Sequence, residues 1–216
     1  SKLNPKLVYA SMTAFGQDGP RGKHTAYDMA IQATSGFTAS TGTPNSGPIK
    51  TGAPVIDYAT GTTGAFAISA ALYQTLRTGK GQYIDMSMMD VALMMQATHI
   101  TDYFHTGHKP KRNGNVMRFA ESSMFQAKDG LIQLAASNGR QHKRFYKAIG
   151  EEAEAERVSL DERYGRFQEK YDTIAKKMKE KTADEWENYL EDRHVPAMRV
   201  RELHETLNDP QLKYRG

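Results

Sequence analysis

Gly52-Ala53-Pro54-Val55-Ile56-Asp57-Tyr58-Ala59-Thr60-Gly61 is the stretch on which the fold of this chain turns. Ile49 to Ile56 reads as extended, and Pro54 argues against a central hydrogen-bonded strand there. Tyr58 to Arg77 is rich in Ala, Gly and Thr, with apolar residues at Phe66, Ala70, Leu72, Tyr73 and Leu76. It reads as a helix buried on more than one face and ended by Thr78-Gly79-Lys80-Gly81. Asp57 stands at the junction, in front of backbone N–H groups that lack helical partners, where negative charge is favoured. Read alone, it is an N-cap.

Outward from this junction, Leu7 to Met12 (LVYASM) predicts a buried strand, and Gln82 to Met86 alternates as a strand does. Gly16 to Lys23 and Gly42 to Pro48 are turn-rich loops, and Tyr27 to Ser35 is a short helix ending at Gly36. Met88 to His105 reads as one long Met-rich helix that stops at Gly107, with Met88, Met89, Met94 and Met95 as adaptable core. Composition then shifts, and residues 106–114, with His108 to Gly114 at their heart, form a linker.

Beyond it, Ser123 to Ala127 and Leu131 to Ala135 flank Lys128-Asp129-Gly130, a hairpin signal. Gly139 to Ile149 is a helix, Glu151 to Arg157 a charged solvated stretch, and Tyr171 to Lys181 and Ala183 to Arg193 are amphipathic helices. Val195 to Val200 is extended, and Glu202 to Leu207 begins a further helix. Residues 1–105 thus form an α/β segment, and 115–205 a smaller α+β domain.

The 216 residues, 38% hydrophobic with a mean hydropathy of -0.67, describe a soluble protein with a sizeable core. No run of eighteen apolar residues predicts a membrane span, and no secretory leader is legible. The absence of cysteine excludes disulfides, thiolate nucleophiles and cysteine metal sites, and fits a reducing cytoplasm. A net charge of +4 is mild. Its one tight basic cluster, Lys109, Lys111 and Arg112, has no interleaved aromatic residues, which argues against nucleic acid and leaves an anionic small molecule or a solvated face. The chain opens at Ser1-Lys2-Leu3 and closes at Tyr214-Arg215-Gly216 soon after a helix, as a piece of a longer protein would.

Three segments in order are more specific than any one of them: NPKLVYASMTAFGQDGP (Asn4 to Pro20), AYDMAIQATSGF (Ala26 to Phe37), and GAPVIDYATG through to RTGKGQYIDMSMMD (Gly52 to Asp90). They closely resemble the family III CoA-transferases, a group that also holds formyl-CoA and carnitine CoA-transferases and the α-methylacyl-CoA racemases. Ser123-Met124-Phe125, Ala127-Lys128-Asp129-Gly130, Val195-Pro196-Ala197 and Asn208-Asp209-Pro210 extend the likeness over nearly the whole chain. The resemblance implies part of a large domain with a Rossmann-like parallel sheet, a linker, and the smaller domain. Residues 206–216 would then start a return to the large domain. It implies an interlocked homodimer, acyl-CoA and small carboxylic acids as partners, coenzyme A as substrate, and no cofactor or metal.

In the family, the aspartate at the position of Asp57 is the nucleophile. A carboxylate that attacks an acyl-CoA thioester forms a mixed anhydride of similar reactivity, and the released thiolate can then attack the enzyme carbonyl to leave CoA on Asp57. Serine would form an ordinary ester, too stable for reversible exchange. Aspartate is an accepted covalent nucleophile, and the helix N-terminus behind it would hold the oxyanion with backbone N–H groups. Tyr27 followed by Asp28 matches formyl-CoA transferases, whereas the racemases carry histidine at the place of Tyr27. A neutral tyrosine is a poor base for racemisation, so the pair points to transfer.

By resemblance, His24 lies near the CoA region and Met88 matches a CoA contact. Gln17 and Gly19 could approach a phosphate or pantetheine through backbone N–H groups. Where formyl-CoA transferases have a glycine run, this chain has Ala120-Glu121-Ser122-Ser123, which argues against formate and oxalate and makes Glu121 and Ser122 candidates for an acceptor pocket. The alternatives are racemase or isomerase chemistry of the same family, or a non-catalytic fragment or interaction subunit with an incomplete CoA site. Uncovered apolar faces would then favour association.

Overall fold

The computed structural model describes residues 3–216; Ser1 and Lys2, which open the first expected domain, lie outside the described residues. The chain divides into two compact units, Ser1–Gly114 and Asn115–Gly216.

The first unit is α/β. Strands β1 (Tyr9–Thr13) and β4 (Tyr83–Ser87) pair in parallel, with Tyr9 opposite Tyr83 and Thr13 opposite Ser87. Parallel strands need a long crossover. Here it contains α1 (Asp28–Thr34), α2 (Phe37–Ser40), a small hairpin of β2 (Gly42–Thr43) and β3 (Gly47–Pro48), and the 24-residue α3 (Val55–Thr78). Gly79 ends α3 in the left-handed region at φ 70°, with its N–H on the Thr75 carbonyl. The turn into β4 is so close that a Cβ on Gly81 would lie 2.0 Å from the Leu7 carbonyl oxygen. Among the described residues, no helix is long and apolar enough to cross a membrane.

Two expectations need correction in this unit. The helix begins at Val55, so Ile56 is helical rather than extended and is fully buried. Met88 to His105 is two helices, α4 (Met88–Met95) and α5 (Ala97–Thr106), not one. Gln96 makes the break. Its N–H turns to the Leu93 carbonyl, while its side-chain amide takes the Ala92 carbonyl and reaches the Ser35 carbonyl at 3.0 Å. In the segment expected as a linker, Arg112 donates to the Ala39 carbonyl, and the Gly114 N–H to that of Gly42.

In the second unit, β5 (Met124–Gln126), β6 (Leu131–Leu134) and β7 (Ala197–Arg199) form an antiparallel sheet in that order. The Asp-Gly turn joins the first two as predicted, and Asp129 also caps a helix by accepting the Ala183 N–H at 2.8 Å. The helices are α6 (Gly139–Ala148), α7 (Glu152–Ala155), α8 (Leu160–Tyr164), α9 (Phe167–Met178), α10 (Ala183–Glu191), α11 (Leu203–Thr206) and α12 (Pro210–Arg215). One side of the sheet builds a core with Phe125, Ile132, Leu134, Phe145, Ile174, Met178, Trp186 and Leu190. The Glu151 to Arg157 stretch is not simply solvated. Glu154 is buried and pairs with Arg166, Arg157 and Lys170, because only paired charges tolerate such burial.

Candidate functional site

Ile56 decides where Asp57 goes. It packs into one apolar cluster with Ala14, Ile31 and Ala92. Ala14 directly follows β1, so the first turn of α3 lies beside the carboxyl end of a parallel strand, where open α/β sheets bind ligands. Asp57 itself is the third helical residue, not the N-cap, and it is exposed. Its carboxylate makes no hydrogen bond among the described residues. It lines a cavity of about 290 Å³ with Tyr27, Lys50 and the loop Thr51 to Pro54.

The donors around it are accounted for. Pro54, at the N-cap, has no N–H. The Val55 N–H bonds the Ala53 carbonyl at 2.9 Å, and the Tyr58 N–H bonds that of Pro54 at 3.2 Å. The Ile56 and Asp57 N–H groups both go to one oxygen of Asp28, at 2.8 and 3.2 Å. The expected oxyanion donors at this helix N-terminus are therefore already engaged. The Gly52 and Ala53 N–H groups, in the loop before the helix, make no hydrogen bond among the described residues and lie on the same cavity.

Asp28 also departs from expectation. It is buried, and its second oxygen accepts from the Gln32 amide, so both oxygens serve the protein rather than a ligand. Gln32 in turn accepts the Thr51 N–H at 3.0 Å and fixes the loop that walls the cavity. The Asp28-Gln32 spacing of one helical turn was the sequence signal for this pair. Lys50, whose ammonium donates to the Thr51 carbonyl, carried no such signal. Tyr27 is 77% exposed at the N-cap of α1 and lines the same cavity.

The remaining candidates do not line this cavity. His24 is exposed and meets Phe15 edge-on at 6.3 Å between ring centroids. Gln17 is held through its N–H to Asp85 and its side chain to Ser11. Met88 is half-buried against the cluster around Ile56. Glu121 and Ser122 fail as pocket residues. Glu121 is fully buried, with one oxygen facing His142 Nδ1 at 2.7 Å and the Arg163 Nε and Nη2 at 3.1 and 3.0 Å. Burial alone would raise its carboxyl, but the hydrogen bonds from His142 and Arg163 outweigh it and hold the group below the usual carboxylate range. Ser122 is buried beside Ser137. No group of three or more His, Cys, Asp or Glu that could hold a metal occurs among the described residues.

The model of CoA-transferase family III matches residues 1–216, the whole chain. The chain belongs to CoA-transferase family III. A succinate–glutarate CoA-transferase from Agrobacterium fabrum is 34% identical over 99% of this chain and 54% of its own length. An acetyl-CoA:oxalate CoA-transferase from Acetobacter aceti is 32% identical over 100% of this chain and 57% of its own. Among solved structures, a CaiB/BaiF family protein from Brucella suis aligns with a TM-score of 0.80 at 32% identity, over 100% of this chain and 58% of that one. A Mycobacterium tuberculosis protein aligns at 0.85 and 25% identity, over 99% and 58%. This family III chain spans little more than half the length of the curated relatives it matches.

Proposed function

We propose that this family III chain carries the nucleophile of a CoA-transferase, with Asp57 forming the covalent intermediates. The observation that carries this reading is an exposed carboxylate without an internal partner, on a helix start beside the carboxyl end of a parallel strand, facing a cavity. An Asp57 oxygen attacks the thioester carbonyl of the donor, and the C–S bond breaks to release CoA thiolate. The thiolate attacks the Asp57 carbonyl of the mixed anhydride, and the donor acid leaves as its carboxylate. The acceptor carboxylate then attacks the Asp57 thioester, and the returning thiolate takes the acceptor acyl group and frees Asp57. Bonds and charges balance at every step without a redox partner.

A dicarboxylic acid of succinate or glutarate size fits this reading. The relatives' names carry such acids. Lys50 places a cation on the cavity lining, able to hold a second carboxylate while the first reacts at Asp57. An interlocked homodimer in the cytoplasm belongs to the same reading. In the full-length protein, quenching with succinyl-CoA and mass spectrometry of the Asp57 peptide should find bound CoA, and Asp57→Ala should abolish turnover. Normal turnover by Asp57→Ala would end this reading.

A further inference from the structure

Asp57 occupies the third position of its helix, where an acid can reach back to the N-cap N–H. In three other helices of this chain, the acid at the third position reaches back to the N-cap N–H, Glu162 to Ser159, Glu185 to Thr182 and Glu205 to Glu202, whereas Asp90, Glu154 and Glu169 at the third positions of α4, α7 and α9 do not. Asp57 stands at that same third position in α3 and makes no such bond. At Asp57 two features close that option. Pro54 at the N-cap has no N–H to offer, and Asp28, from α1, takes the next donors that a turned-in Asp57 could accept, those of Ile56 and Asp57.

We infer that Asp28 is a positioning residue for Asp57: it takes the Ile56 and Asp57 N–H groups at a helix start whose N-cap, Pro54, has none to offer, and so keeps the Asp57 carboxylate from turning back onto its own helix and leaves it on the cavity. This inference rests on the reading of Asp57 as nucleophile. A carboxylate that accepts charge-assisted hydrogen bonds must give them up as its charge moves onto the thioester, which raises the barrier. Asp28 meets the helix's need for capping from outside, so α3 keeps a satisfied N-terminus without using its own acid. The geometry thus separates two roles that a single N-terminal aspartate would otherwise combine. Gln32 locks Asp28 in place through its amide, and no ligand is needed to hold either.

Two variants of the full-length protein test this. Asp28→Ala removes both acceptor oxygens and frees the Ile56 and Asp57 N–H groups for Asp57. Pro54→Ala restores the N-cap N–H and leaves Asp28 intact. Each is followed by rapid quenching with succinyl-CoA, by the rate of CoA adduct formation on the Asp57 peptide, and by thermal melting. Both should slow adduct formation by about tenfold, the low end for a hydrogen bond to a charged group. KM for succinyl-CoA should stay within about twofold. Pro54→Ala should melt no lower than the parent, so a slower rate there cannot come from lost stability. An unchanged adduct rate in Pro54→Ala, or an Asp28→Ala defect confined to KM, would overturn the inference. Absence of any adduct on the Asp57 peptide of the parent protein would instead remove the nucleophile reading beneath it.

Discussion

Replacing Glu121 with alanine should destabilise the second unit severely, because it leaves a cation buried without its partner. Glu121 and His142 are fully buried and Arg163 is 2% exposed. The Arg163 guanidinium donates twice to Glu121 and once to the Ala136 carbonyl, and stacks 3.8 Å from the centre of the Phe119 ring. Breaking such a pair from one side costs about 3–5 kcal/mol. That is a large share of the roughly 5–15 kcal/mol that holds a domain folded. With a urea dependence of about 1–2 kcal/mol per molar for a unit of this size, the midpoint should fall by about 2 M or more. Trp186 is the only tryptophan of the chain and lies in this core, with its indole N–H on the Met178 carbonyl, so its fluorescence reads this unit. Glu121→Leu combined with Arg163→Met should cost less than the two single changes summed, since it removes both charges together. A loss below about 1 kcal/mol in Glu121→Ala would refute the view that this pair is dry and mutually dependent.

The same carboxyl sets a pH dependence. Because the folded protein holds Glu121 below its ordinary value of 4.5, its stabilisation is complete above that value and is lost as pH falls through the folded one. Glu121→Gln should therefore flatten the decline in stability on the acid side of about 4.5; an unchanged acid limb in urea titrations would contradict this. Gly81→Ala should cost about 3 kcal/mol or lower expression outright, since its Cβ would meet the Leu7 carbonyl oxygen at 2.0 Å and backbone must move. An unchanged melting temperature would count against that close approach. Lys50→Met should raise KM for a dicarboxylate acceptor by about tenfold with kcat held, and spare a monocarboxylate of similar size. Equal effects on both acids would remove Lys50 from substrate recognition.

Much of the fold was legible because its signals are local. The small-residue run ending at Gly79, the alternation at Gln82 to Met86 and the Asp-Gly turn each depend on neighbours within a few residues. The helix start was misplaced by a few residues. Pro54 was read as a strand breaker, although proline suits the front of a helix equally well. Gln96 looked like an ordinary helical residue, because its effect comes from a carbonyl on Ser35, far away in sequence.

The sequence by itself determined the family and the order of elements, and it singled out Asp57, since each depends on residue types and spacing along the chain. Only the tertiary structure decided what surrounds that aspartate. Asp28 lies 29 residues from Asp57, yet it takes the amide donors at the helix start. Glu121, a pocket candidate in the sequence, closes a buried network with Arg163, 42 residues on. Backbone N–H groups are identical in every sequence, and their partners are chosen by packing; that choice left Asp57 free and committed Glu121 to the core.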